Sequence, residues 1–395
     1  MSESLDQLFV SLKKWALDLF PSAWQPLASV LLSIVPIMAV FPMLFALTTV
    51  IERKGLGRIQ NRLGPNRVGP YGILQFAADG IKALIKEDIV PRAADRVVHF
   101  LAPISLVVPV FLGYSVLPFG RNMVPLDLPE TGLLFFFAVG AATELSVFMA
   151  GWSSRNKYSF LGAMRAIAQM ISYEMPLILS TVSVVMIAGS LSLEAIVKNQ
   201  LCQDGDVFAH WNLFTPWGLV GFVLFFIAAS AESNRTPFDL IEAESELVAG
   251  YFTEYTGFKF ALFFLGEYLG MFAMSGLGIT LFLGGWSAPM RWLDFIPSWG
   301  WFMGKLVAMI FLFIWIRGTI PRLKTDQLMN FAWKFLLPMT LVNLLAAAVW
   351  HLTGREGWHW AMRWLTCAAL LAVSWLLLSR GFARKIGKRE YRYAN

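Results

Sequence analysis

Nine apolar stretches, each close to the length that crosses a lipid bilayer, recur along this chain of 395 residues. A spanning helix needs about 20 mostly apolar residues, because it rises only about 1.5 Å per residue. The composition agrees, since 57% of the residues are hydrophobic, against roughly 45–50% in soluble domains. We therefore predict an all-α polytopic integral membrane protein. The predicted spans lie at about 28–50, 100–118, 131–151, 161–189, 216–231, 258–283, 300–317, 333–352 and 360–379.

Lysine and arginine are unevenly shared between the two sides that these spans define. The segments after odd-numbered spans, together with the C-terminal tail, carry 24 of the 32 Lys and Arg residues, and all other segments carry 8. Cytoplasmic loops of membrane proteins are enriched in these residues. The sequence therefore predicts an N-terminus outside the membrane, a cytoplasmic loop over residues 51–99 and a cytoplasmic C-terminus.

We divide the chain into three parts at residues 27 and 352. In residues 1–27, apolar side chains from Leu5 to Phe20 recur at helical spacing opposite acids and lysines, which predicts an amphipathic helix lying on the membrane surface. Residues 28–352 hold eight spans and form the main membrane domain. Residues 353–395 add a ninth span, WAMRWLTCAALLAVSWLLLSR, and a basic tail.

The first cytoplasmic loop begins with charged residues directly after a span. Arg53 is explained as an interfacial anchor whose stem follows the lipid, but an acid such as Glu52 is a poor cytoplasmic anchor. Further on, Gln75, Asp79, Lys82 and Lys86 form a polar stripe on a predicted interfacial helix. The spacing alone favours a solvated Asp79 that pairs with Lys82 three residues later.

Three glutamates lie well inside apolar spans. Glu144 occurs in LLFFFAVGAATELSVFMAGW, Glu174 in AIAQMISYEMPLILS and Glu267 in ALFFLGEYLGMFAMSG. A carboxylate at such depth must be protonated, paired or next to water. A protonated glutamate bonded to a neighbouring helix is the structural alternative, but intramembrane acids more often mark proton or substrate paths.

An acidic stretch, AESNRTPFDLIEAESELVAGYFTEY over residues 231–255, follows the fifth span and holds a single arginine, Arg235. Some of its acids share one face whether the segment is helical or extended. Neighbouring carboxylates raise one another's pKa and titrate as a set. Together with the intramembrane acids they predict a protonatable path that enters the bilayer from the cytoplasm. The six carboxylates are Glu232, Asp239, Glu242, Glu244, Glu246 and Glu254.

Five long motifs resemble a known family. The segments ERKGLGRIQNRLGPNRVGPYGILQFAADGIKALIKED, GAMRAIAQMISYEMP, the acidic stretch, ALFFLGEY and WIRGTIPRLKTDQLM occur in the order found in the H subunit of respiratory complex I, the equivalent of mitochondrial NADH dehydrogenase subunit 1. The resemblance covers roughly residues 28–352. It implies a subunit of a proton-translocating NADH:quinone oxidoreductase in the bacterial inner membrane, which lines the quinone tunnel and begins the proton-conducting path.

The resemblance also implies roles for individual residues. The quinone tunnel is expected to involve Glu52, Arg53, Arg62, Asp79, Arg235, Asp239, Arg317 and Arg322. The proton path is expected to involve Glu174, Glu232, Glu242, Glu244, Glu246, Glu254 and Glu267, with Glu144 added although it lies about one turn from the family position. For Asp79 the resemblance thus reverses the interpretation as a solvated residue.

Cofactors and partners follow from the same resemblance. Ubiquinone or menaquinone is expected as substrate, whereas NADH, FMN and the iron–sulfur clusters belong to other subunits. The two isolated cysteines agree, because clusters and structural zinc need about four grouped ligands. The expected partners are the hydrophilic quinone-site subunits, the small subunits of the membrane arm and membrane lipids, and no nucleic acid is expected. The open alternatives are a membrane anchor of a hydrogenase, an autonomous proton-coupled transporter and a structural anchor.

Overall fold

Helices dominate the part of the chain that the computed structural model describes, namely residues 6–22, 24–202, 207–239, 249–355 and 359–383, with the side chains of 355 and 381–383 left undescribed. Between them lie short 3-10 turns and a π-helical turn, Ala332–Leu336. The thirteen α-helices of this part are α1 Leu8–Asp18, α2 Gln25–Ile59, α3 Gln75–Ile85, α4 Arg96–Tyr114, α5 Gly132–Ser153, α6 Lys157–Ala188, α7 Leu193–Asn199, α8 Pro216–Glu232, α9 Gly257–Phe282, α10 Ser298–Thr319, α11 Thr325–Phe331, α12 Leu337–Arg355 and α13 Trp360–Ala383.

Each predicted span coincides with a helix. Eight of the described helices are long and apolar enough to cross a membrane, with α11, the π turn and α12 forming one of them over Thr325–Gly354. The fifth predicted span is α8, which is shorter, at 17 residues. These helices confirm the all-α polytopic membrane fold.

Helix α2 extends beyond the first predicted span. It continues to Ile59, whereas the sequence predicted a loop from residue 51. The loop prediction was wrong at its start, because charged side chains such as Glu52 and Arg53 do not by themselves end a helix. Both residues instead have partners on other helices.

The predicted N-terminal amphipathic helix is present as α1. None of its residues is buried, and its apolar side chains Phe9, Leu12 and Trp15 are strongly exposed. Several contacts tie this end of the chain to the bundle, and two of them are hydrogen bonds of ordinary length. Lys13 Nζ donates to Ser33 Oγ of α2 at 2.7 Å, and the Ser298 amide that begins α10 donates to Asp6 Oδ1 at 2.7 Å.

Helix α9 forms the centre of the bundle, and 61% of the residues in its most apolar stretch are buried. Small residues allow its neighbours to approach closely. A Cβ at Gly266 would lie 2.8 Å from Leu106 Cδ2 of α4, and one at Gly278 would lie 2.8 Å from Phe225 Cε1 of α8. This packing fixes the height and rotation of α9, which carries Glu267 and Tyr268.

Helix α8 ends in a Schellman turn that begins the acidic stretch. Asn234 adopts the left-handed conformation at φ +50°, as asparagine tolerates after a helix C-terminus. Its amide donates to Ala231 O at 3.2 Å, and the Arg235 amide donates to Ser230 O at 3.0 Å. The chain thereby turns back beneath the bundle and brings Arg235 toward α9.

Helix α13 packs on α12 and closes the C-terminal end of the described chain. Cys367 Sγ lies 3.4 Å from Ala346 O, Leu371 is buried, and the rings of Trp375 and Phe335 meet edge to face at 5.0 Å. Only 11% of the residues in the most apolar stretch of α13 are buried. The ninth helix is therefore a peripheral addition to the eight-span bundle.

Candidate functional site

A charged cluster forms where α2, α9 and α10 meet. Glu52 is 5% exposed. Its Oε2 accepts a hydrogen bond from the Tyr268 hydroxyl at 2.6 Å, and its Oε1 pairs with the Arg317 guanidinium. Three helices therefore contribute to one buried carboxylate site, and we call Glu52, Tyr268, Arg317 and Arg235 the Glu52 cluster.

Arg235 completes this cluster from the turn after α8. Its guanidinium carbon lies 3.6 Å from the centre of the Tyr268 ring, a cation–π geometry. Burial disfavours the charge, but attraction by Tyr268, Glu52 and Glu267 outweighs burial and holds the pKa of Arg235 above its ordinary value. Arg235 thus remains a cation that lies within electrostatic range of both Glu52 and Glu267.

A second pair lies near the C-terminal end of α2. Arg53 Nη1 lies 2.5 Å from Asp79 Oδ2 of α3, and Gln75 Nε2 donates to Asp79 Oδ1 at 3.0 Å. The local pairing of Asp79 with Lys82 was therefore the wrong expectation, because the fold brings Arg53 of α2 against α3. Arg62 lies apart, exposed, with its Nε donating to Gln60 Oε1 at 2.8 Å.

Asp239 and Arg322 are also brought together. Asp239 is 5% exposed, and its Oδ2 lies 3.1 Å from Arg322 Nη2 in the segment after α10. A backbone bond from the Leu323 amide to Pro237 O at 3.2 Å runs alongside. The segment after α8 is thus attached to the end of α10, close to the Glu52 cluster.

A partly open cavity of about 70 Å³ lies between α4, α5, α6, α8 and α9. Glu232 and Glu267 both line it, and Tyr251 donates to Glu267 Oε1 at 3.2 Å. The other lining is mostly apolar, with Thr143, Ser233 and Asn234 as further polar residues. Since one water needs about 10–15 Å³ of such volume, the cavity that both residues line has room for several waters.

Two further intramembrane acids flank this cavity. Glu144 on α5 and Glu174 on α6 are each half-buried and lie within electrostatic range of Glu232. Glu144 also lies within range of Glu174. In the described part of the chain, Glu144 Oε1 and Glu232 Oε2 are buried without a hydrogen-bond partner. The structure therefore groups Glu144 with the other acids, although its register in α5 was in question.

The remaining acids are placed only in part. Glu254 Oε1 accepts a hydrogen bond from Asn156 Nδ2 at 2.7 Å, at the other end of the acidic stretch. Glu242, Glu244 and Glu246 lie outside the described residues, so their arrangement stays a prediction. Within the described ranges, no group of three His, Cys, Asp or Glu side chains is arranged to hold a metal ion.

Sequence reasoning missed several polar residues that organise the site. Tyr268 was part of the ALFFLGEY motif, but only Glu267 was selected from it. A tyrosine hydroxyl inside an apolar span needs a hydrogen-bond partner, and this could have marked Tyr268. Tyr251 and Gln169 were missed because both side chains are uncharged, and attention went to the charged residues near them in the sequence.

Comparisons with known proteins agree with the motif resemblance. The family described as NADH dehydrogenase matches residues 32–348. The H subunit of NADH-quinone oxidoreductase from Dehalococcoides mccartyi (strain CBDB1) is 51% identical over 298 residues, 75% of this chain and 80% of that protein.

Two further relatives carry the same name. The one from Bacillus cytotoxicus is 50% identical over 75% of this chain and 86% of its own length. The one from Carboxydothermus hydrogenoformans is 49% identical over 80% of this chain and 87% of its own length. The resemblance predicted from the motifs is thereby confirmed, and the chain belongs to the NADH dehydrogenase family.

Proposed function

We propose that this chain is the membrane-embedded H subunit of a proton-translocating NADH:quinone oxidoreductase, that it lines the quinone tunnel, and that it couples quinone reduction to proton transfer. The family membership and the relatives' names support the oxidoreductase, and they favour it over a hydrogenase anchor or an autonomous transporter. The observation that carries the coupling is the position of Arg235, which lies 3.6 Å over the ring of Tyr268, the residue bonded to Glu52, and is within electrostatic range of both Glu52 and Glu267.

The tunnel side is the region around α2, α9 and α10. Its charged residues are Glu52, Arg235 and Arg317 in the cluster, with Arg53 and Asp79 beside it and Asp239 and Arg322 below. Reduction of a quinone to a quinol takes two electrons and two protons. Electrons come from partner subunits, and the headgroup gains negative charge until it is protonated. In a poorly hydrated tunnel this charge acts strongly on nearby ionised groups.

The proton side is the cavity with its flanking acids. Glu144, Glu174 and Glu232 lie within electrostatic range of one another, so they titrate as a set, and Glu267 lines the same cavity as Glu232. A change in the field at Glu52 alters the position or partners of Arg235, and Arg235 then changes the proton affinity of Glu267. Glu242, Glu244, Glu246 and Glu254 extend this path to the cytoplasmic surface.

The surroundings follow from the same assignment. The chain lies in a bacterial inner membrane with its N-terminus outside and its C-terminus in the cytoplasm, consistent with the bias of Lys and Arg. Its basic cytoplasmic loops contact hydrophilic quinone-site subunits and anionic lipid. The proton path continues from this chain into the small subunits of the membrane arm. Ubiquinone or menaquinone is the substrate, and FMN and iron–sulfur clusters are supplied by partners.

The test uses the assembled complex in sealed vesicles. Glu232→Gln and Glu267→Gln remove one protonatable group each from the cavity and keep its shape. Both variants are expected to assemble and to lose most NADH-driven proton uptake, with slower quinone reduction. The control is Glu194→Gln, since Glu194 lies on α7 and pairs with Lys198 at 2.8 Å. Full pumping in both cavity variants would contradict the proposed path.

A further inference from the structure

A buried amide, that of Gln169 on α6, holds the two ends of the turn that carries Arg235. Gln169 is 1% exposed. Its Nε2 donates to Ala231 O at 2.8 Å and to Phe238 O at 2.8 Å, with Asn234 Oδ1 also at 3.4 Å. One side chain thus bridges the last turn of α8 and the residue that precedes Asp239.

The chemistry of the surroundings fixes which way this amide points. The carbonyl oxygens of Ala231 and Phe238 can only accept hydrogen bonds, so the NH₂ group of Gln169 must face them. The opposite orientation would put the Gln169 Oε1 atom against two acceptors. Oε1 instead lies buried, with no partner in the described ranges, so the attachment to the turn depends entirely on the two N–H donors.

The turn between these carbonyls contains residues of both halves of the site. Glu232 lines the cavity, Arg235 lies over Tyr268, and Asp239 pairs with Arg322 immediately after Phe238. Tyr173, one turn along α6, adds a ring contact to Phe238 at 5.4 Å. Gln169 therefore relates the position of this turn to α6, the helix that carries Glu174.

We propose that Gln169 is a positioning residue for the coupling of quinone reduction to proton transfer. Its two N–H groups keep the turn closed, so that Arg235 stays over Tyr268 while Glu232 faces the cavity. Loss of the donors lets the turn open and moves Arg235 away from Glu52 and Tyr268 without removing any charge. This inference rests on the proposed function for its consequence, but the closed turn itself can be measured without quinone.

The first experiment measures backbone hydrogen exchange in the purified complex. In Gln169→Met the side chain keeps a similar length but has no N–H donor. Amide exchange within residues 233–239 is expected to rise about tenfold, the order expected when one or two neutral hydrogen bonds are lost. Unchanged exchange in this segment would overturn the proposal, whatever the activity of the complex.

The second experiment uses a pH signature that a purely structural role would not produce. Gln169→Glu is isosteric, and only its protonated form offers one O–H donor to the carbonyls. The measured quantity is the ratio of kcat/KM for a short-chain quinone in Gln169→Glu to that in Gln169→Met. This ratio is expected to rise above one as the pH is lowered and the carboxyl is protonated. It is expected to fall to one or below when the carboxyl ionises. A ratio that is constant with pH would overturn the positioning role.

A matched control is available in Gln200, which clamps the other end of the bundle. It is 2% exposed, and its Nε2 donates to Thr280 O at 3.0 Å and to Ile196 O at 3.2 Å. Gln200→Met removes a comparable buried amide far from the site. It is expected to lower the yield of complex but not kcat/KM or the exchange of residues 233–239. An equal effect of Gln200→Met on kcat/KM would show that Gln169 acts through general stability alone.

The two proposals fail in different ways. If the wild-type complex reduces quinone and pumps protons while Gln169→Met matches it in exchange and kcat/KM, only the positioning role is wrong. If the exchange rises as expected but the wild-type complex reduces no quinone, the turn is held by Gln169 and the proposed function is wrong.

Discussion

Replacing Arg317 by methionine tests the Glu52 cluster most directly. Arg317 pairs with a carboxylate that is 5% exposed. Removing one partner of a buried ion pair costs about 3–5 kcal/mol, because the other charge is left uncompensated. Two features reduce this cost, namely the 28% exposure of the Arg317 side chain and the remaining interactions of Glu52 with Arg235 and Tyr268. We therefore expect a loss of roughly 2–3 kcal/mol.

If the whole cost is borne by the arrangement that reduces quinone, kcat/KM falls by roughly 30- to 150-fold, since about 1.4 kcal/mol is a factor of ten, and this is the largest fall that the contact can produce. The cost is met by neutralising or displacing Glu52, and either change alters the charges that the tunnel presents to quinone. The assay is kcat/KM for a short-chain quinone, normalised to NADH-driven reduction of a water-soluble acceptor by the same complex. This ratio separates defects at the tunnel from loss of assembled protein.

A double-mutant cycle with Glu52→Gln isolates the pair. In the Glu52→Gln background no buried carboxylate is left without a partner, so Arg317→Met should cost only about 1 kcal/mol, the net value of an ordinary hydrogen bond. The difference gives a coupling energy of about 1–2 kcal/mol, within the range for residues in contact. If the two single losses simply multiply in the double variant, the Glu52–Arg317 interaction has no part in the site.

Three further predictions follow from other contacts. Tyr268→Phe removes the hydroxyl bonded to Glu52 but keeps the ring beneath Arg235, so kcat/KM should fall about tenfold, in line with a hydrogen bond to a charged group. Tyr268→Leu should lower kcat/KM further because the cation–π contact is also lost. Equal values for both variants would argue against a role of the ring. Arg322→Ala should lower activity less than Arg317→Met does, because Arg322 is 47% exposed and solvent can partly replace it, although Asp239 is only 5% exposed. The effect should shrink as salt is raised, and an effect independent of salt would contradict it. Gly162→Ala should reduce the yield of assembled complex, since its Cβ would lie 2.7 Å from Gly250 Cα. Gly304→Ala is the control and should assemble normally, because its Cβ would meet nothing within 4 Å. Similar yields for the two variants on native gels would show that the contact between Gly162 of α6 and Gly250 is not tight.

Much of the fold was predictable because the bilayer imposes local rules. Each span is a run of apolar residues, and its identity as a helix depends on the run itself. The end of the first helix was harder to place. Glu52 and Arg53 are adjacent charged residues, yet one is buried and paired within the bundle while the other is half-exposed and contacts α3. Neighbouring residues on a helix point about 100° apart, and only the packing shows which of the two faces inward.

The candidate site shows the same division between local and distant information. The spacing of Asp79 and Lys82 suggested a local pair, but the partner is Arg53, which lies 26 positions away. Tyr268 and Gln169 carry no charge, so no pattern of acids and bases could select them. Their importance comes from the partners that the fold supplies, namely Glu52 for Tyr268 and two backbone carbonyls for Gln169.

The sequence alone determined the class of the protein, its nine spans and its family, because apolar run length and contiguous motifs are properties of short segments. The tertiary structure decided which charges meet. Glu52 is 216 positions from Tyr268 and 265 from Arg317, and the cavity with Glu232 and Glu267 exists only where five helices pack. In an apolar bundle each buried charge needs a partner, and that partner is supplied by a different helix, whose position depends on how all the helices pack together.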